Sequence, residues 1–158
     1  MLQQVCEHIH NYFAKGYFSG EFAIYGGAIS PLSSFILEGQ KFLISGSALN
    51  DGMYTYHETG IKDDDDNAFA EGVGLKDETF AGTICVLAVP PAVIALSKEV
   101  KAWVETNGDA VTSPYSSENV IGVYSYTKAT GGSGAGGAVT WADAFRDQLN
   151  RWRKVAFL

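Results

Sequence analysis

Residues 113–127 read SPYSSENVIGVYSYT, and residues 140–154 read TWADAFRDQLNRWRK after a glycine-rich connection. The aromatic and β-branched residues of the first stretch favour extended backbone, so residues 109–139 are predicted to form an extended arm. In the second stretch Thr140 and Asp143 have the spacing of a capping box, which predicts a helix over residues 140–154. The apolar stripe of this helix consists of Trp141, Phe145, Leu149 and Trp152.

The remainder of the chain contains two helical patterns with short strands between them. Apolar residues recur at helical spacing over residues 2–15 and again from Val89 to Asn107, which predicts an N-terminal and a central helix. The intervening short apolar or alternating runs are separated by glycine and predict strands. These runs are residues 21–25, 41–45, 53–57, 68–73 and 79–86. Asn50-Asp51-Gly52 predicts a tight hairpin turn between the second and third of them.

These elements predict an α+β protein. Its small helical core consists of the N-terminal, central and C-terminal helices, within residues 1–16 and 89–158. The core includes the extended arm, residues 109–139, and the C-terminal helix, residues 140–154. Residues 17–88 form an inserted β lobe, which we expect to be a small antiparallel barrel or sandwich.

Composition and charge exclude several classes of protein. The chain has 158 residues, a net charge of −7 and a pI near 4.8, which argues against ordinary binding to nucleic acid because phosphates need a basic surface. No apolar run approaches the length of a membrane span, so we expect no membrane association. The first residues lack the pattern of a signal peptide. We therefore expect a cytosolic protein in which Cys6 and Cys85 are reduced thiols.

Two stretches resemble ligand-binding motifs but fail on context. Residues 132–137 match the three-glycine dinucleotide pattern, yet the sequence ends too soon afterwards for the strand that such a fold requires. Asp63-Asp-Asp-Asp-Asn67 could attract a hard cation, but an EF-hand loop from Asp63 would need glycine at Ala68 and glutamate at Gly74. We therefore predict that residues 132–137 form a flexible loop and that Asp63 to Asn67 form a solvated acidic loop.

Neither a metal centre nor a catalytic group can be assembled from the sequence. On a helix, His8 points away from the face shared by Cys6 and His10, and two ligands cannot hold a structural zinc ion. His57 lies far away in the predicted hairpin, and no carboxylate stands in a recognisable acid/base motif. We expect no cofactor, no metal and no enzymatic activity.

The arm and the C-terminal helix each allow two interpretations. The arm is either an ordinary strand of the core or sheet edge, or a segment that adds to a neighbouring subunit. The cations of the last helix either interact with the helix dipole and solvent or bind an acidic partner.

Three segments together resemble the head-to-tail connector, or adaptor, proteins of tailed bacteriophages and prophages. They are the helix from Val89 to Asn107, the segment Ser117-Glu-Asn-Val-Ile-Gly-Val-Tyr-Ser-Tyr126, and the terminal Leu149-Asn-Arg-Trp-Arg153. The second is similar to the Ser-Glu-x-Ile-Gly-x-Tyr-Ser pattern of that family. The inserted β lobe departs from the family, whose helices commonly lie close together in sequence.

The resemblance implies a structural virion protein that forms a ring of about twelve subunits beneath the portal vertex. It implies a subunit interface at Gly122, Tyr124 and Tyr126, and portal docking by Arg146, Arg151, Trp152 and Arg153. Further partners would be a neck stopper or tail-completion protein, with DNA only as passing cargo. Localisation would be the virion, and the host bacterial cytoplasm during assembly.

Two other functions remain open at this point. One is a different virion role, such as tail completion or capsid accessory, with the β lobe as the binding module. The other is a small cytosolic ligand-binding domain or enzyme that uses a barrel pocket.

Overall fold

A computed structural model describes residues 1–32, 34–107, 117–120, 124–127 and 140–154. Its fold is α+β, as predicted. The helices of the described residues are α1 (Leu2–His8), α2 (Pro91–Asn107), α3 (Trp141–Ala144) and α4 (Arg146–Asn150). The strands are β1 (Ala14–Tyr25), β2 (Ala28–Ser30), β3 (Lys41–Ser45), β4 (Gly52–Thr55), β5 (Glu78–Leu87), β6 (Ser117–Val120) and β7 (Tyr124–Thr127).

The first five strands form one antiparallel sheet in the order β2-β1-β5-β3-β4. The sheet is antiparallel, as predicted, and it curls into a half-barrel, whereas a small barrel or sandwich was predicted. Strand β5 lies at its centre and pairs with β1 from Ala14 to Ile24 and with β3 from Phe42 to Ser45. Gly82 on β5 permits this close packing, because a Cβ atom there would lie 2.5 Å from the Ser45 carbonyl oxygen.

Each face of the curled sheet carries its own apolar cluster. On one face, the helices and the C-terminal residues pack against the sheet through Leu2, Val5, Cys6, Ile9, Met53, Cys85, Leu87, Val93, Leu96, Val100 and Leu149. The other cluster contains Phe22, Ile24, Ile29, Leu32, Ile36, Phe42, Ile44, Phe80 and Ile84. Burial of these side chains is the main favourable term in folding. Helices and sheet therefore share one of the two cores.

Helix α1 is shorter than the predicted helix over residues 2–15. It ends at His8, and His10 and Phe13 then take left-handed backbone angles, with φ of 53° and 55°. The Asn11 side chain accepts a hydrogen bond from the Phe13 N–H at 3.0 Å and closes this turn. Phe13 still packs against the first cluster, so its place in the apolar pattern of the sequence reflects burial and not a helix.

One strand prediction and one turn prediction are also wrong. Residues 68–73 contain no strand. The predicted tight turn at Asn50-Asp51-Gly52 belongs to a longer loop over residues 46–51, which joins the antiparallel strands β3 and β4. Glu78 closes this loop by accepting hydrogen bonds from Ala48 N at 2.8 Å and from Asn50 Nδ2 at 2.9 Å.

The predicted central helix is confirmed as α2, with Pro91 at its start. The predicted helix over residues 140–154 is divided into α3 and α4 at Phe145, whose φ of −107° and ψ of 14° interrupt the helix. The described part of the predicted arm is a hairpin, because β6 and β7 pair with each other in a separate two-stranded sheet. The boundaries of the two predicted units stay predictions.

Candidate functional site: a basic surface on the C-terminal segment

The C-terminal segment, residues 140–154, is fixed at its start by the predicted capping box. The Asp143 N–H donates to Thr140 Oγ1 at 3.2 Å, and the Thr140 N–H donates to Asp143 Oδ2 at 3.2 Å. Leu149 is fully buried in the first cluster, and the Phe145 ring meets Trp103 of α2 edge-on at 6.3 Å. Apolar packing therefore orients α3 and α4.

The end of the segment is attached to the turn that follows α1. Asn11 Nδ2 donates to the Trp152 carbonyl oxygen at 3.1 Å, and the Lys154 N–H donates to the Ile9 carbonyl oxygen at 3.0 Å. The Trp152 ring contacts Phe13 edge-on at 6.1 Å. The two ends of the described chain therefore lie together, in a pairing that spans most of the sequence.

Four cations of this segment are exposed, and we call them the basic surface: Arg146, Arg151, Arg153 and Lys154. The exposed acids of the same segment are Asp143 and Asp147. Arg146 forms an ion pair with Asp143 at 2.6 Å. Arg153 Nη2 lies 3.1 Å from His8 Nε2, and burial followed by the nearby guanidinium lowers the pKa of His8. A neutral His8 can accept this hydrogen bond. The basic surface contrasts with the net charge of −7.

The predicted interface residues fall into different environments. Arg146, Arg151 and Arg153 are exposed on the basic surface, whereas Trp152 is half-buried against Phe13. Tyr124 and Tyr126 belong to β7. Gly122 lies outside the described residues.

The acidic run is not the solvated loop that its sequence predicts. The Met1 ammonium lies 3.0 Å from Asp64 and 3.4 Å from Asp65, and both carboxylates are largely shielded. They also accept the N–H groups of Leu2 and Gln3, which satisfies the start of α1. Both residues therefore connect the loop to α1.

Asp65 also connects this loop to α2. Its Oδ2 accepts a hydrogen bond from Lys101 Nζ at 3.0 Å. Burial acts to raise the pKa of Asp65, but the hydrogen bond from Lys101, the Met1 ammonium and the Leu2 N–H outweigh it and lower that pKa. The loop thus connects α1 to α2.

Lys41 completes the connection from β3. Its ammonium group donates to Thr55 Oγ1 at 2.8 Å and to the Asp64 carbonyl oxygen at 2.7 Å, and the residue is 8% exposed. Burial lowers its pKa against the opposing effect of the neighbouring aspartates. The only signal in the sequence is a lysine directly before three apolar residues in the strand KFLIS.

His57 lies between two carboxylates that sequence reasoning did not assign to it. Its Nε2 lies 2.7 Å from Asp66 Oδ1 and its Nδ1 lies 2.5 Å from Glu38 Oε1. The hydrogen bonds to Asp66 and then Glu38 raise the pKa of His57. Hydrogen bonds from the Glu58 N–H and from His57 lower the pKa values of Glu38 and Asp66 respectively. Glu38, His57 and Asp66 therefore connect three separate segments of the chain.

The pH dependence of this group follows from those directions. The contribution of His57 to stability is fully present below the ordinary pKa of 6.5 and is lost as the pH rises through the higher folded value. The contributions of Glu38 and Asp66 are present above their ordinary values of 4.5 and 3.8 and are lost on acidification below them. The network is therefore strongest between about pH 4.5 and 6.5.

Two adjoining clefts share Gly27 and Ile61 in their linings. One, of 380 Å³, lies beside His57, between residues 26–32, which include β2, and residues 56–61. The other, of 340 Å³, is lined by Phe69, Val73 and Leu75. Both ring nitrogens of His57 are engaged by carboxylates, so neither is presented to the cleft as a free base.

Within the described residues, no group of three or more His, Cys, Asp or Glu side chains is arranged to hold a metal ion. Cys6 and Cys85 are free and buried. Burial raises the pKa of Cys6 to about 12, which keeps it as a thiol at neutral pH. No helix among the described residues has the length and apolar character needed to cross a bilayer.

Comparison with known proteins identifies no relative. No protein family, curated protein or solved structure matches this chain.

Proposed function

We propose that the protein is a structural component of the neck of a tailed phage or prophage, where it forms a ring that joins the portal of the DNA-filled head to the tail. The observation that carries this proposal is the basic surface, held by Leu149 and Trp152 on an otherwise acidic protein. The resemblance of residues 117–126 and 149–153 to connector proteins supports the same conclusion. The role needs no catalytic group.

In this proposal, residues 1–16 and 89–158 are the helical core of the connector, and residues 17–88 are an inserted β lobe. The anchored C-terminal segment suits a docking role because its geometry is set before the partner arrives. Preorganised charges lose little conformational entropy on binding, and complementary charges speed the encounter. The partner is an acidic face of the portal, and Arg146, Arg151 and Arg153 meet it.

The remaining parts of the assembly follow from the same proposal. Residues 109–139, with Gly122, Tyr124 and Tyr126, join neighbouring subunits in a ring of about twelve. The ring then contacts a neck stopper or tail-completion protein. The surplus of negative charge suits a channel through which DNA slides without sticking.

A charge-reversal experiment tests the docking step. The variant Arg151→Glu/Arg153→Glu is compared with Lys76→Glu/Lys98→Glu, which changes the net charge equally at exposed positions away from the basic surface. Binding to purified portal is measured by light scattering at two salt concentrations. We expect the arginine variant to lose at least about tenfold in affinity and the control to bind like wild type. Equal binding by both variants contradicts the assignment.

A second virion role is favoured by the apolar side chains exposed on the β lobe. Tyr17, Tyr25, Leu37, Leu49 and Val73 are each more than 60% exposed. In that role the β lobe binds a capsid or tail protein and the C-terminal segment only stabilises the fold. This second role would be favoured if the wild-type chain does not bind portal but binds another virion protein.

A further inference from the structure

Strand β1 has an open edge over residues 16–22. Along one side it pairs with β5, but on the other side β2 pairs only with Ala23, Ile24 and Tyr25. Among the described residues, no backbone hydrogen bond reaches the second side between Gly16 and Phe22. Unpaired N–H and C=O groups along such an edge are a template for another strand.

The side chains along this edge are accessible to a partner. Tyr17 is 69% exposed and Phe18 is 38% exposed, although Phe18 stacks on Phe35 at 4.0 Å. An added Cβ atom at Gly20 would have no atom within 4 Å, and Gly20 does not have a left-handed φ. The fold of the single chain therefore does not require glycine there. Glycine inside a strand often marks the close approach of another backbone.

The sequence of this edge is complementary to itself. Residues 15–21 read KGYFSGE, with a cation at one end and an anion at the other. If two copies run antiparallel about a two-fold axis at Phe18, each position meets its complement. The opposing pairs are then Lys15 with Glu21, Gly16 with Gly20, and Tyr17 with Ser19. Opposite charges on facing positions stabilise strand pairing, and glycine facing glycine brings no steric conflict.

We propose that a second copy of this chain pairs with the β1 edge in this register, so that the two sheets become one continuous sheet in the free protein. Lys15 is exposed just before this edge and has no partner on β5, because it is the bulged residue between Ala14, which faces Leu87, and Gly16, which faces Val86. No ion pair of the described residues includes Lys15 or Glu21. Both charges are therefore available to the partner.

The neighbouring register is less favourable. An axis at Ser19 would place Lys15 opposite Ala23, which already faces Ser30 of β2. It would also place Glu21 opposite Tyr17 and leave both charges without a counterpart. The charges and the extent of the open edge thus favour the axis at Phe18 over the axis at Ser19.

This dimer is independent of the proposed ring. It is an isologous contact of the β lobe, whereas ring contacts are heterologous and docking uses the basic surface. Dimerisation is measured on the chain alone, without portal, so the result does not depend on the proposed function. The variant Arg151→Glu/Arg153→Glu is expected to dimerise like wild type.

Sedimentation velocity of the full chain over a dilution series tests the pairing. We expect a monomer–dimer equilibrium in the wild type, and a dissociation constant at least about tenfold higher in Lys15→Glu and in Glu21→Lys, because each variant opposes like charges twice. An equimolar mixture of the two variants restores the dimer, since both facing pairs are then of opposite sign. The matched controls Lys76→Glu and Glu71→Lys, exposed elsewhere on the β lobe, leave the equilibrium unchanged.

Several outcomes overturn the proposal. If the wild-type chain remains monomeric at about 100 μM, the proposed dimer does not exist. If both charge variants still dimerise, or if their mixture does not dimerise, the assignment of the interface to this edge and register is wrong. As a direct measurement of register, Phe18→Cys should form an intersubunit disulfide under mild oxidation at least about tenfold faster than Tyr25→Cys, since facing Cα atoms in antiparallel strands lie within disulfide range. Equal rates contradict the axis at Phe18.

Discussion

Truncation of Leu149 should destabilise the whole protein although it lies near the end of the described chain. Its side chain is fully buried in the first cluster, which also contains Val5 and Ile9 from the N-terminal region and Val100 from α2. Leu149→Ala removes about three methylene equivalents, worth about 2.4 kcal/mol in transfer free energy. Incomplete collapse of the cavity adds to this, so we expect a loss of about 3 kcal/mol. That corresponds to a change of about a hundredfold in the unfolding equilibrium.

Urea unfolding followed by tryptophan fluorescence is suited to this measurement. All three tryptophans lie at or beside this core, because Trp141 and Trp152 pack on the first cluster and Trp103 contacts Phe145. The matched control is Gln148→Ala, at the adjacent exposed position, which should change stability by less than about 0.5 kcal/mol.

A loss below about 1 kcal/mol in Leu149→Ala, with a cooperative transition of unchanged slope, would refute this packing. The C-terminal segment would then not be part of the fold. The basic surface would lose the fixed geometry on which the docking proposal depends.

Three further predictions concern other parts of the molecule. The free energy of unfolding of the wild type should fall more between pH 6 and 8 than that of His57→Gln, because the raised pKa of His57 stabilises the fold only while the ring is protonated; equal slopes would contradict this. Iodoacetamide should alkylate Cys6 at pH 8 only after unfolding, as read by mass spectrometry, because its pKa is about 12; rapid labelling of the native chain would exclude its burial. Gly82→Ala should cost at least about 2 kcal/mol, because its Cβ atom would meet the Ser45 carbonyl oxygen at 2.5 Å. Gly20→Ala, with open space, should cost less than about 1 kcal/mol when both are compared by thermal unfolding at high dilution; similar losses would be inconsistent with this geometry.

Features encoded by neighbouring residues could be predicted from the sequence. The capping box at Thr140 and Asp143 and the helix from Pro91 to Asn107 depend on residues within a few positions of one another. The same local reasoning failed at residues 9–15. There the apolar periodicity continues, but a turn closed by Asn11 redirects the chain into β1. The spacing of apolar residues reflects which side chains are buried, and it is the same here whether the backbone is a helix or a turn.

The candidate sites depend on contacts between distant parts of the sequence. Lys101 meets Asp65, and Asn11 meets Trp152, across separations of 36 and 141 residues. No short motif encodes such pairs. A run of aspartates therefore indicated solvent exposure, whereas the fold uses Asp64 and Asp65 to connect the start of α1 to α2. The exposed cations of the C-terminal segment were predicted as a group, but their attachment to the turn after α1 was not.

The proposed assembly of the protein as a ring on a portal, through its basic surface, is tested most directly by electron microscopy. Purified portal is mixed with the wild-type chain or with Arg151→Glu/Arg153→Glu. We expect a ring of about twelve copies on one end of each portal with the wild type, and bare portals with the variant. Bare portals in both mixtures, at protein concentrations well above micromolar, would contradict the proposed function.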